Sequence, residues 1–154
     1  MKNKISFIFI GFIVLVGCSK QPTFSVSGTL TNAQDQTIYL EHTALLSTTI
    51  VDSCSIDKDG HYSLEAYTPI YPDFYRLRVG TRSLPLAIDS TEHVQVCTSL
   101  DSLPYTLNIN GSDASLQMAQ LRAIARSATR DELRQQTQKI ILSNPRSLVA
   151  YYAV

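Results

Sequence analysis

Between residues 24 and 110 apolar and polar side chains alternate with a period of two, and this limits the fold more than any other property of the chain. A strand turns successive side chains to opposite faces, so alternation marks strands with one buried face. Phe24, Val26, Gly28 and Leu30 alternate with Ser25, Ser27 and Thr29. Ile38 and Leu40 mark a second strand over 37–41. Ile50, Asp52, Cys54 and Ile56 alternate with Val51, Ser53 and Ser55. The sets Tyr62, Leu64, Ala66 and Tyr75, Leu77, Val79 follow, the latter opposite Arg76 and Arg78. Leu84, Leu86 and Ile88 come next, then Val94 and Val96, then Tyr105, Leu107 and Ile109. Turn-forming residues separate these sets roughly every ten positions, as in an antiparallel sandwich or barrel. The expected fold is mainly β: an antiparallel β-sandwich of about eight short strands, followed by a short α-helical C-terminal segment.

After Gly111 the period becomes helical. Leu121, Ile124, Ala125 and Ala128 stand at i, i+3, i+4 and i+7. Ser112 or Asp113 can cap this helix by accepting the free N–H groups of its first turn. Thr129 and Glu132 fit a capping box for a second helix, which presents Leu133, Ile140 and Ile141. Asn144-Pro145 reads as N-cap and first residue of a third helix. Leu148, Val149, Tyr151 and Tyr152 make that helix strongly apolar, and Val154 ends the chain. An apolar face of this kind needs cover. The preferred reading is that 113–154 is a truncated helical linker whose continuation supplies the cover; the alternative is a helix docked on the sheet.

The start of the chain is a different kind of segment. Lys2 and Lys4 precede an apolar run over 5–16, then Gly17 and Cys18. These are the charged, hydrophobic and small-residue parts of a secretory signal. The run is too short for a membrane-spanning helix, which needs about 20 apolar residues. Leu15-Val16-Gly17-Cys18 resembles a bacterial lipobox. The resemblance implies cleavage after Gly17, diacylation of the Cys18 sulfur and acylation of the new N-terminus. Each buried methylene then contributes about 0.8 kcal/mol of anchoring. The expected organisation is a signal peptide over 1–17, a lipidated tether over 18–22, a β-sandwich over 23–112 and the helical segment 113–154. Ser19 after the cysteine, with no acidic run behind it, favours the periplasmic face of the outer membrane over the inner membrane of a Gram-negative envelope.

Charge narrows the function. Lys and Arg number 13, as do Asp and Glu, and with no basic block the chain lacks the cations that displace counterions from nucleic acid. Acids outnumber bases up to Ser112, and bases outnumber acids beyond it. The two parts therefore attract, within the limits of ionic screening.

Candidate chemistry is sparse. Asp57-Lys58-Asp59-Gly60 resembles half of a calcium loop, but Ala66 stands where a bidentate glutamate is needed. An Asp-Gly turn between strands explains the same residues. His42, His61 and His93 fall near three different strand ends without metal-ligand spacing, so no metal is expected. Gly-x-Ser-x-Gly is absent, and a triad assembled from Asp52, Asp89, His61 and Ser53 needs free choice of partners. Cys54 and Cys97 read as buried free thiols in preference to a disulfide, which requires Cα atoms within about 7 Å. No Cys-x-x-Cys occurs, so this chain by itself is not expected to perform dithiol exchange. Arg122, Arg126, Arg130 and Arg134 read as a solvated stripe rather than a dock for an acidic partner. The loop Tyr67, Pro69, Ile70, Tyr71, Pro72 reads as edge packing in preference to a glycan or peptide site. No catalytic residue and no cofactor is expected.

Taken together, Gly28, Ile38-Tyr39-Leu40, Val51-Asp52-Ser53, Ile56 through Tyr62, Phe74-Tyr75-Arg76-Leu77, Ile88-Asp89 and Gly111-Ser112 resemble the β-sandwich domain of unknown function 4369. Asn144-Pro145, Ser147 and Ala150-Tyr151-Tyr152 resemble the helical linker that follows it. The resemblance implies the N-terminal part of a bacterial lipoprotein, commonly continued by a thioredoxin-like domain of the thiol–disulfide interchange type. That domain and its paired cysteines are absent here, so the resemblance implies a redox context without a redox activity. A thioredoxin-like domain, covalently joined or separate, is the implied partner. The alternative is a complete small lipoprotein that binds a ligand or glycan.

Overall fold

The computed structural model describes residues 21–153. Its strands are β1 (Thr23–Thr31), β2 (Thr37–Thr43), β3 (Thr48–Ser55), β4 (His61–Tyr67), β5 (Asp73–Val79), β6 (Arg82–Ile88), β7 (His93–Ser99) and β8 (Ile109–Asn110). They form two four-stranded sheets, in the orders β4-β1-β7-β8 and β3-β2-β5-β6. The fold is the expected β-sandwich. Inward residues of both sheets, among them Phe24, Val26, Leu40, Leu64, Leu77, Leu86 and Val96, merge into one core. Alternation produced this core because each strand has one face against the opposite sheet.

One pairing departs from the antiparallel expectation. β1 and β7 run parallel, with Val26 opposite Val94 and Gly28 opposite Val96. The chain leaves the first sheet after β4, builds β5 and β6 in the second, and returns beside β1 in the same direction. Gly28 makes the pairing close. Its φ is +152°, and a Cβ there would lie 1.9 Å from the Val96 carbonyl oxygen. Tyr62, opposite Gly28 on β4, donates its hydroxyl to that same oxygen at 3.1 Å.

The Asp57–Gly60 turn also differs from a simple hairpin, because β3 and β4 belong to different sheets. It is a corner. Asp57 Oδ1 accepts the N–H groups of Asp59 and His61 at 2.9 and 2.7 Å, and Gly60 takes φ +85°. The carboxylate is spent on its own backbone.

Two apolar sets fail to become core strands. Ile50 and Val51 on β3 are exposed. The register shifts between Leu40 and Glu41, which pair with Asp52 and Ile50, so Val51 is a bulge residue without an opposite number. The expected eighth strand shrinks to Ile109–Asn110, because Pro104 helps start a 3-10 turn over Leu103–Tyr105. Tyr105 and Leu107 are left exposed.

Three helices follow: α1 (Asp113–Ser127), α2 (Arg130–Ser143) and α3 (Leu148–Tyr152). Ser112 caps α1, and the Thr129–Glu132 capping box opens α2, as expected. The third helix starts later than Asn144-Pro145 suggests. Asn144 ends α2 and accepts the Ser147 N–H, and Ser147 is the cap of α3. α3 is docked, not bare. Val149 joins Met118 of α1 and Ala87 of β6 in a second apolar cluster, against Phe74, Ala114, Ile140 and Leu148. Ala150 is buried too, while Tyr151 stays exposed.

Candidate functional site

The strand directions divide the sandwich into two ends. β1 begins at Thr23 opposite Tyr67, the last residue of β4. The β2–β3 turn (44–47), the β4–β5 loop (68–72) and the β6–β7 loop (89–92) therefore gather where the chain comes in, the proximal end. The corners 32–36 and 56–60 and the turn 80–81 lie at the distal end. The Thr68 N–H donates to the Pro22 carbonyl at 3.0 Å, and the Ser25 N–H to the Glu92 carbonyl at 3.0 Å. Two proximal loops are thus tied to the first residues of the fold.

Beside the β4–β5 loop a cleft of about 520 Å³ is lined by Thr23, Val51, Glu65, Ala66, Tyr67 and Tyr75. It exists because β3 and β4 are edge strands of different sheets, and the bulge turns Val51 into the gap between them. Thr23 donates its hydroxyl to Glu65 Oε1 at 2.6 Å, and the Glu65 N–H reaches Asp52 Oδ2 at 2.8 Å. The rim is polar and the walls apolar, which suits an amphipathic ligand. Phe24 meets Tyr75 edge-on at 4.9 Å behind the wall. Part-burial, with the Asp73 carboxylate nearby, pushes the Tyr75 phenol upward.

The outer face of the second sheet carries the most enclosed charge. Glu41 is 3% exposed and bridges Arg76 and Arg78, whose Nε atoms donate at 2.5 and 2.8 Å. Arg78 also lies 4.3 Å from the centre of the Tyr39 ring. Burial works to raise the Glu41 carboxyl, but both arginines outweigh it and hold the group below the usual glutamate range. Both Glu41 carboxylate oxygens are taken up by the arginines, so the group is held in the fold and is not free for chemistry.

The residues singled out in the sequence do not converge. His42 pairs with Asp73 at 2.7 Å, His61 with Thr29 at 3.2 Å and His93 with Ser25 at 2.9 Å. Among the described residues no three histidine, cysteine or acidic side chains gather closely enough to hold a metal. Cys54 and Cys97 are free thiols, each only half-buried, in β3 and β7 of different sheets. Burial raises the Cys54 thiol, opposed by a hydrogen bond from the Ser63 N–H. Tyr62 has both thiols as neighbours, and its phenol is pushed up mainly by burial and further by Cys97 and Cys54. The arginine stripe is divided between α1 and α2, and Arg126 stacks 3.7 Å over the Tyr105 ring. Cys18 and the signal segment lie outside the described residues. The gathering of proximal loops was missed in the sequence, since it needs strand order; the available signals were the apolar pair Leu45-Leu46 and the Tyr67–Pro72 loop, which does not pack at an edge as expected but exposes Ile70 and Tyr71.

No curated protein matches the chain. Among solved structures, an (S)-allantoin synthase shares 13% identity over 52% of this chain and 41% of its own, with a TM-score of 0.34. A 9R-lipoxygenase from Cyanothece PCC8801 shares 10% identity over 94% of this chain and 27% of its own, with a TM-score of 0.33. The chain thus spans less than half the length of either protein. The family model of the domain of unknown function DUF4369 matches residues 24–118, the whole sandwich with the first turns of α1, and the chain belongs to that family.

Proposed function

We propose that this protein is a lipid-anchored envelope lipoprotein whose sandwich is a non-catalytic binding or spacer module, the N-terminal part of a thiol–disulfide interchange protein. The observation that carries the reading is the position of the lipobox-like Leu15-Val16-Gly17-Cys18 directly before the fold: β1 starts at Thr23. A short tether then holds the module at the membrane, on the periplasmic face of the outer membrane. α1 to α3 are then the linker to a thioredoxin-like domain, with α3 folded back against β5 and β6. The test expresses the full chain in a Gram-negative host with labelled palmitate. Wild type should take up label and fractionate with membranes, and Cys18→Ala should do neither; equal labelling of both sinks the anchor. The redox link is read from the DNA beyond codon 154, where a Trp-Cys-x-x-Cys segment supports it and an unrelated gene removes it. The cleft lined by Val51, Tyr67 and Tyr75 favours a second reading, a small ligand-binding lipoprotein. Tyr67→Ala would then abolish ligand-dependent stabilisation in a thermal screen of peptides and oligosaccharides.

A further inference from the structure

We infer that the proximal end of the sandwich rests directly on the lipid surface, with the tips of loops 44–47 and 68–72 seated among the headgroups. This rests on the proposed acylation of Cys18 and goes beyond it, because an anchor alone leaves the domain free to hang at any angle.

The first support is an asymmetry of exposed apolar surface. Leu45, Leu46, Ile70 and Tyr71 are 89%, 94%, 91% and 78% exposed. All four stand in two loops at one end. Of the distal tips, three carry Asn32, Gln34 and Asp35, then Asp57, Lys58 and Asp59, then Gly80 and Thr81, and the β7–β8 connection exposes Tyr105 and Leu107 by only about half, with Arg126 over the Tyr105 ring. The second is covalent. The Thr68 to Pro22 hydrogen bond places the β4–β5 loop beside the point where the tether joins the fold. From Cys18 to Thr23 an extended chain reaches roughly 17 Å at most, so an acylated Cys18 holds this end, and no other, close to the bilayer. The third is chemical. Branched aliphatic side chains and tyrosine settle at the boundary between headgroups and acyl chains, each keeping its apolar body in and any polar tip wet. Against Lys20 of the tether, this end sets the carboxylates of Asp73, Asp89 and Glu92, so attraction to anionic lipid is not the cause. The contact is apolar and indifferent to lipid charge. A bilayer is the occupant because a tether this short keeps this end at the lipid to which Cys18 is joined.

The chain has no tryptophan, so one introduced tryptophan reports a single position. The full acylated protein is reconstituted in phosphatidylcholine vesicles with or without brominated acyl chains, carrying Ile70→Trp, Leu46→Trp or, at the distal end, Lys58→Trp. Two proximal reporters are used so that a local disturbance in one loop does not decide the result. Bromolipid should remove roughly half or more of the Ile70→Trp and Leu46→Trp emission, as expected at a depth of about 5–10 Å. Lys58→Trp should keep its emission. Added phosphatidylglycerol or high salt should change nothing. Unquenched emission at all three positions, in protein that floats with the vesicles, overturns the docking and leaves the anchor standing. Failure to float overturns the anchor and the docking with it. Blue-shifted but unquenched emission at positions 46 and 70 shows a protein surface, or a second copy, in place of lipid and also overturns the inference.

Discussion

Gly28 and Glu41 show how much single positions decide. At Gly28 a methyl group would lie 1.9 Å from the Val96 carbonyl oxygen, in a backbone conformation that side chains resist. Gly28→Ala should therefore cost about 3 kcal/mol or more, through the forced separation of β1 from β7. Gly80→Ala has nothing within 4 Å of its Cβ and only a positive φ to bear, so it should cost about 1 kcal/mol. Paired urea melts measure both, and equal losses would refute the close-approach argument. At Glu41 the folded carboxyl gives up its proton more readily than the unfolded one, whose ordinary value is 4.5. Its stabilisation is thus fully present above that value and fades as pH falls through the lower folded value. Glu41→Gln should lose about 2 kcal/mol near neutral pH, since the freed arginines stay partly hydrated, and should show a flatter acid limb than wild type. Glu92 has the opposite sign. Burial raises it, so its ionisation opposes folding above the ordinary range, and Glu92→Gln should raise Tm at neutral pH and leave it unchanged in acid.

At the scale of elements the helical tail is the revision that matters. Read as sequence, Leu148, Val149, Tyr151 and Tyr152 form a bare face, and removing 144–154 should help solubility. In the structure Val149 closes a cluster with Ala87 and Met118, and two serines stitch α1 to β6. The Ser112 and Ser115 hydroxyls each donate to the Ala87 carbonyl, at 3.1 and 3.0 Å, and Ser115 Oγ accepts the Ala87 N–H. Val149→Ala should cost about 1–2 kcal/mol, as the loss of two buried methyl groups does. Leu142→Ala, on the exposed side of α2, should stay within about 0.5 kcal/mol. Deletion of 144–154 should lower the denaturant midpoint and increase binding of a hydrophobic dye. An unchanged midpoint would show that α3 adds nothing to the fold.

For the molecule as a whole, the arrangement of sheets sets what its cysteines can do. Cys54 and Cys97 belong to different sheets and stand as free thiols. Reduction should therefore leave Tm unchanged. Burial raises the Cys54 thiol, which makes its thiolate scarce near neutral pH. Native alkylation at Cys54 should be many-fold slower than for a free cysteine, and denaturant should restore the rate. A fall in Tm with reductant would mean that a bridge contributes to stability.

Local chemistry made much of this legible in advance. Period-two alternation specified β1, β2 and β4 to β7, because strand geometry converts it directly into one buried face. The Thr129 box and the Asp57 turn were readable because each satisfies its own backbone within four residues. What stayed hidden depends on residues far apart in sequence. Only the tertiary structure pairs β1 with β7 in parallel, since Gly28 and Val96 meet across the fold. Only it places Val51 in a bulge, since a register shift belongs to two strands. It also covers Val149 with Ala87, and its strand order brings the loops of Leu45, Leu46, Ile70 and Tyr71 to one end. Alternation states which face of a strand is buried; strand order and direction, which place the loops, follow from long-range packing that no local pattern encodes.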